Sequence, residues 1–196
     1  MTSRFSLDRL PVTPWRNGGG ETREIGQGRF GEASAAAGQD GWDWRLSVAS
    51  IAGDGAFSTF AGVDRSAVLV DGAVTLRSDT QALSWTTVGE LHAFAGETAF
   101  SARLAQGPAR FFNVMARRAN AYAEVSVHRE GFSVMPSNAV PLCLLVLQGR
   151  FQVGTPSGMQ TLDVEQGLLQ ACPQEAMQVV RLSAAGCVVA VQLHPT

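Results

Sequence analysis

Short apolar runs punctuated by Gly, Asp, Asn and Pro recur along this chain, and in one of them apolar positions fall at every second residue. That period is the mark of half-buried strands. The run is Trp42–Ile51 (WDWRLSVASI). Trp44, Leu46 and Val48 fall on one face of a strand, and Arg45, Ser47 and Ala49 on the other. If Trp44 and Leu46 pack in a core, Arg45 faces either solvent or a polar cavity. Arg4–Leu10 reads as a short first strand, and Gly26–Gly41 as a soft surface excursion. From Phe57 onward the runs recur at the spacing of β-sandwiches and barrels. No segment holds the helical period over any length; Met115–Ala121 is the best candidate for a short helical turn. The predicted class is all-β.

The runs also repeat. AVLVDGAVTL (Ala67–Leu76) lines up with LLVLQGRFQV (Leu144–Val153), pairing Gly72 with Gly149. One residue of adjustment then aligns Val88–Leu104 with Gln166–Leu182. That alignment pairs Gly89 with Gly167, Ala93 with Ala171, Glu97 with Glu175, and Arg103–Leu104 with Arg181–Leu182. A match in order over four turns predicts an internal duplication. The expectation is two β-barrel units in one compact body, the first over about residues 1–125 and the second over about 126–196.

Composition narrows the function classes. The 196 residues carry 45% hydrophobic and only 16% charged side chains, and a formal net charge of −2. Nothing in that balance attracts nucleic acid or an anionic membrane. All 15 basic residues are Arg, which excludes lysine Schiff-base chemistry and leaves Arg as the fixed cation for an anion. Cys143, Cys172 and Cys187 are scattered among apolar neighbours with no CxxC spacing, so reduced thiols in a cytoplasmic protein are expected. The Arg4, Asp8, Arg9 and Pro11 neighbourhood lacks the apolar run of a signal peptide.

The stretch most like a site is PWRNGGGETREI (Pro14–Ile25). Three consecutive glycines let backbone approach a partner closely, and Trp15, Asn17 and Thr22 flank them. GGGETR lacks the Lys-Ser/Thr of a phosphate loop and opens no βαβ unit. No Ser/His/Asp arrangement or G-x-S-x-G elbow is visible. His92, His128 and His194 are far apart, with no acid at ligand spacing.

The strand-Gly-strand unit resembles the cupin fold, and its duplicate a bicupin. The first cupin motif, G-x5-H-x-H-x3,4-E-x6-G, ends in the glycine that Gly72 and Gly149 supply. Counting back seven places its metal-binding Glu at Arg65 and at Leu142. Its histidines fall within Ser58–Ala61 and Met135–Asn138, where there are none. The second motif matches Gly167 and Pro173 but has Gln178 in place of its His. The scaffold pattern is present without the metal ligands. A guanidinium where a carboxylate would hold a metal repels cations and suits a carboxylate, unless Arg65 pairs with Asp64 or another acid at the rim.

PWRNGGGETREI, WDWRLSVASI, GAFSTFAGVDR (Gly55–Arg65) and FFNVMARR (Phe111–Arg118), in that order, resemble the HutD/Ves family over essentially the whole chain. Phe111 departs from the acid this family often has before Phe-Asn. The resemblance implies a metal-free bicupin, without cofactor, that serves as an accessory or regulatory protein of histidine utilisation. It would bind a small carboxylate such as urocanate or a formylated amino acid through Trp15, Asn17, Gly18, Gly19, Gly20, Thr22, Arg45, Arg65 and Asn113. An alternative is a metal-independent enzyme acting on such an acid, with Glu21 or Glu24 as base. Monomer and homodimer both remain open.

Overall fold

The structure, a computed structural model, describes residues 2–15, 18–31, 41–135, 140–171 and 175–196. Asn17, Cys172, Pro173, positions 136–138 of the second histidine window, and 32–40 of the predicted excursion lie outside the described residues. The chain is built almost entirely of strands. β1 (Thr2–Ser6) leads into a 3-10 turn at Leu7–Arg9, followed by β2 (Val12–Pro14), β3 (Gly20–Gly28), β4 (Trp44–Ile51) and β5 (Gly55–Ala56). Next come β6 (Val63–Asp71), β7 (Val74–Arg77), β8 (Ala82–Trp85), β9 (Leu91–Ala95), β10 (Ser101–Leu104) and β11 (Ala109–Arg117). The remainder are β12 (Ala121–His128), β13 (Phe132–Val134), β14 (Leu142–Gln148), β15 (Phe151–Thr155), β16 (Gly158–Leu162), β17 (Gln166–Gln170), β18 (Met177–Arg181) and β19 (Cys187–Pro195). No helix among the described residues is long and apolar enough to cross a membrane.

Two compact units result: Pro11–Tyr122 with Pro195–Thr196, and Met1–Leu10 with Ala123–His194. The first unit contains a six-stranded sheet, β2-β3-β4-β11-β6-β9, and a four-stranded sheet, β5-β10-β7-β8. The second has a five-stranded sheet, β1-β17-β14-β19-β12, and a four-stranded one, β13-β18-β15-β16. The N-terminal strand, expected with the first unit, instead pairs antiparallel with β17, from Thr2↔Gln170 to Ser6↔Gln166. It also stops at Ser6, where the 3-10 turn begins. Local pattern predicts that a strand exists; its partner is chosen by which sheet edge is open.

The duplication is deeper than its sequence trace. β4 to β11 recur as β12 to β19, with the same neighbours in the same order. Val74↔Leu104 is matched by Phe151↔Arg181, and Val74↔Trp85 by Phe151↔Leu162. Ser101↔Ala56 is matched by Gln178↔Ser133, and Arg65↔Phe94 by Leu142↔Gln170. Even a β-bulge recurs, opening between Arg110 and Phe111 in one unit and between Val146 and Gln148 in the other.

This register corrects the expected alignment of the later strands. Gly89 corresponds to Glu165 rather than Gly167, and Leu104 corresponds to Arg181. Gly89 N donates to Leu69 O at 2.9 Å and Glu165 N to Val146 O at 2.8 Å, both with positive φ (87° and 65°). The segment between Leu162 and Gln166 is one residue shorter than that between Trp85 and Glu90. That deletion shifts the frame of one strand only.

Gly72 and Gly149 hold φ values of 83° and 76° in equivalent hairpins. A Cβ on Gly72 would lie 2.5 Å from Pro108 O and 2.8 Å from Ala109 Cα. Both backbone strain and a clash therefore oppose any side chain. Gly72→Ala is expected to lower stability by about 1–3 kcal/mol, read as a shift of the urea midpoint with an unchanged slope.

Each core lies between the two sheets of its unit. Leu69, Val74, Leu76, Trp85, Phe94 and Phe111 fill the first; Val146, Phe151, Val153, Leu162, Leu168 and Val188 fill the second. The helical turn expected at Met115–Ala121 does not form. Met115–Arg117 instead completes β11, paired on one side with β4 and on the other with β6. Val114, Met115 and Ala116 are all buried. A strand buried on both faces loses the alternation that would reveal it.

Candidate functional site

The site follows from the register of the six-stranded sheet. Met115 pairs with Arg45 on one side and Arg65 on the other, so these three side chains share a rung. One rung along the same face stand Ser47, Asn113 and Ala67; the next holds Thr22, Ala49 and Phe111. Thr13 pairs with Thr22 and extends that last rung. Neighbouring strands lie about 4.8 Å apart, so one face of β2, β3, β4, β11 and β6 delivers Thr13, Thr22, Arg45, Ser47, Ala49, Asn113, Met115 and Arg65 to a common cavity. Trp15, Phe57, Ser58 and Phe60 complete a chamber of about 230 Å³.

Arg65 is its chemical centre, 5% exposed. Its Nη2 donates to Asn113 Oδ1 at 2.9 Å and its Nη1 to the Ser58 carbonyl at 3.1 Å. Nε has no hydrogen-bond partner among the described residues. Nor does any described carboxylate pair with Arg65; the nearby Asp64 is held by Arg118 at 2.7 Å. Aromatic rings surround the guanidinium, with Cζ 4.5 Å from the centroid of Phe57, 5.3 Å from Phe60 and 5.2 Å from Phe94. Burial pulls the Arg65 pKa down to about 10, which still leaves a full positive charge at neutral pH. A buried cation without a counter-ion costs several kcal/mol (roughly, by Born-type reasoning). Cation–π attraction of about 1–2 kcal/mol offsets part of that.

Asn113 is fixed by Arg65: with Oδ1 accepting, Nδ2 is the donor left for a ligand. Arg45 lies at the rim, 27% exposed, and its Nε donates to Glu24 Oε2 at 2.8 Å. Of its two open orientations, the structure selects the cavity. Trp15 forms a wall, its Nε1 donating to Thr22 Oγ1 at 2.8 Å.

The glycine triplet shapes this wall from behind. Gly18 N donates to Trp15 O at 3.0 Å, Gly19 O accepts from Ala52 N at 2.9 Å, and Gly20 O accepts from Trp15 N at 2.9 Å. A Cβ on Gly20 would lie 2.1 Å from Ser50 O and 3.1 Å from the Trp15 ring. None of the three glycines is among the residues lining the cavity. Of the residues named from sequence, the cavity therefore brings together Trp15, Thr22, Arg45, Arg65 and Asn113, while Asn17 lies outside the described residues. Glu21 Oε1 accepts from Arg23 at 2.6 Å, and neither Glu21 nor Glu24 lines the chamber. Phe111 is fully buried against Trp85, ring centroids 4.7 Å apart. Thr13, Ser47, Ala49, Phe57, Ser58, Phe60 and Met115 were not foreseen as site residues. Ser47 and Ala49 could have been found from Arg45, and Met115 from Asn113, by counting in twos.

The positions that a cupin gives to metal ligands hold a guanidinium, a backbone carbonyl and aromatic rings here. This donor set does not fit a divalent metal. Among the described residues no three His, Cys, Asp or Glu side chains converge.

Two antiparallel barrel units with this pocket define a bicupin-type, all-β protein, and solved structures show the same fold. A Cupin 2 conserved barrel protein from Leptotrichia buccalis matches 98% of this chain and 96% of its own, with a TM-score of 0.62 and 9% identity. HutD from Pseudomonas fluorescens SBW25, solved in a formate condition, matches 100% of both chains with a TM-score of 0.82 and 24% identity. The HutD family model matches residues 8–189. The chain belongs to the HutD family. It is 33% identical to Protein Ves of Citrobacter koseri over 180 residues, 91% of this chain and 86% of that protein. A 21.2 kDa protein in the hutC 3′ region of Pseudomonas putida is 39% identical over 106 residues, 54% of this chain and 53% of its own length.

Proposed function

We propose that the first unit binds a small carboxylate of histidine utilisation, urocanate or a formylated amino acid, and that the protein acts through this binding as an accessory or regulatory factor without turning the ligand over. The observation that carries this reading is the buried Arg65 guanidinium, which has hydrogen-bond donors to spare and no carboxylate partner among the described residues. A ligand carboxylate would accept from that fork while Asn113 Nδ2 offers a further donor. Trp15, Phe57 and Phe60 would flank a flat apolar body. The histidine-pathway assignment draws on the HutD family and on the relative in the hutC 3′ region. We take the protein to be cytoplasmic, as monomer or homodimer, with neither nucleic acid nor membrane as partner.

Thermal unfolding of the full chain with urocanate, formyl-glutamate and formate tests the reading, with product analysis of the same mixtures. The expected result is a saturable rise in the unfolding midpoint with at least one acid, unaffected by chelator, with no consumption of it. Consumption lost in a Glu24→Gln variant would establish an enzyme instead. No shift with any of the acids would refute the carboxylate reading.

A further inference from the structure

The second unit has a cavity of its own, of about 340 Å³. It occupies the place in the repeat that the Arg65 chamber occupies in the first unit. Glu124, Ser126, Val134, Met135, Ala190 and Gln192 border it. By the register of the repeat, Val134, Ala190 and Gln192 are the counterparts of Phe57, Asn113 and Met115, which border the first cavity, and Glu124 and Ser126 stand on β12, the counterpart of β4. Duplication has thus kept the hollow and changed its chemistry.

The guanidinium is gone: Leu142 stands for Arg65 and Ala190 for Asn113, and both pack in the apolar core. Instead a carboxylate appears, carried by Glu124 on β12, the counterpart of β4. Glu124 is 62% exposed, and its Oε2 lies 3.6 Å from His194 Nε2, beyond hydrogen-bond range. Among the described residues no Arg borders the cavity. His128 lies flat on Phe132, ring centroids 3.6 Å apart and planes 4° from parallel, and its Nε2 is 2.8 Å from Ser126 Oγ. Burial pushes the His128 pKa below its ordinary value, and Glu124 supplies the carboxylate of the wall. A flat aromatic surface beside one carboxylate and several neutral hydrogen-bonding groups is complementary to a cation carried on a ring.

We propose that this cavity is a second ligand site, opposite in polarity to the first, for a small aromatic or heteroaromatic ammonium. The two repeats would then sort ligands by charge: anions to Arg65, cations to Glu124. The proposal stands apart from the carboxylate reading, because it rests on different residues in a different unit.

Calorimetric titration of the full chain with benzylammonium chloride tests it, with benzoate as a probe of similar shape and opposite charge. Wild type is expected to bind benzylammonium saturably. Glu124→Gln is expected to weaken that binding at least tenfold, and Phe132→Ala severalfold. Arg65→Met should leave it unchanged. Glu124 is exposed, so its replacement leaves the fold intact, which circular dichroism checks. The proposal is overturned if benzylammonium shows no saturable binding at millimolar concentration. It is overturned equally if Glu124→Gln binds as wild type does, or if Arg65→Met abolishes the binding.

Discussion

Arg65→Met is expected to reduce carboxylate affinity at least 100-fold while leaving the unliganded protein folded, its unfolding midpoint within about 3 °C of wild type. The two halves of this result have separate causes. Removing one partner of a desolvated charge pair costs about 2–5 kcal/mol of binding, and in this pocket Arg65 supplies the buried charge. Stability responds differently. Burial holds the folded-state pKa of Arg65 down at about 10, below its ordinary value. A base depressed in this way destabilises the folded state at every pH where it is charged, and that cost is relieved only as pH rises through about 10. Met removes the cost, and with it the cation–π contacts to Phe57, Phe60 and Phe94. The terms oppose each other and nearly cancel. A purely structural Arg65 would lose stability on substitution, so paired calorimetry and thermal unfolding separate the two roles.

The same substitution in reverse, at the matching position of the second unit, is expected to be severe. Leu142 is 2% exposed and packs with Leu144, Phe151 and Leu168. Leu142→Arg would place a guanidinium where Ala190 replaces the accepting Asn113 and Val134 replaces the Phe57 ring. The buried Gln170 Oε1, on the neighbouring strand and without a hydrogen-bond partner among the described residues, could accept one N–H. One such bond returns about 1 kcal/mol, against several for the unpaired charge. A loss of about 4 kcal/mol or more is expected, seen as poor soluble yield or a collapsed denaturant midpoint. An essentially unchanged midpoint would contradict the account of why one repeat tolerates the cation and the other does not.

Which parts of this were legible in the sequence depends on how local each cause is. The hairpin glycines Gly72 and Gly149 were readable because a positive φ demands glycine at the turn itself. Arg65 was readable by counting from Gly72 along a known scaffold pattern. The alternation of β4 correctly grouped Arg45 with Ser47 and Ala49, but a period of two names two faces without saying which is concave. That is why the cavity orientation of Arg45 had to come from the structure. Met115–Arg117 misread because burial on both faces erases the polar half of the pattern. In sequence the repeat shows only from Ala67, yet β4 and β12 also correspond, and their sequences have diverged as the two pockets have. In sequence the glycine triplet reads as the lip of a ligand pocket. Its visible roles are the turn and, at Gly20, the room for the Trp15 wall.

The central claim is that a ligand carboxylate sits on the Arg65 guanidinium. The most direct measurement is the Arg65 side-chain Nε–H resonance in the full chain, assigned by its loss in Arg65→Met and followed during titration with urocanate and formyl-glutamate. In the free protein that N–H has no acceptor among the described residues. The account predicts a saturable downfield displacement and slowed hydrogen exchange as a carboxylate engages the fork. An Nε–H resonance that stays in place while either acid binds elsewhere on the protein would contradict it.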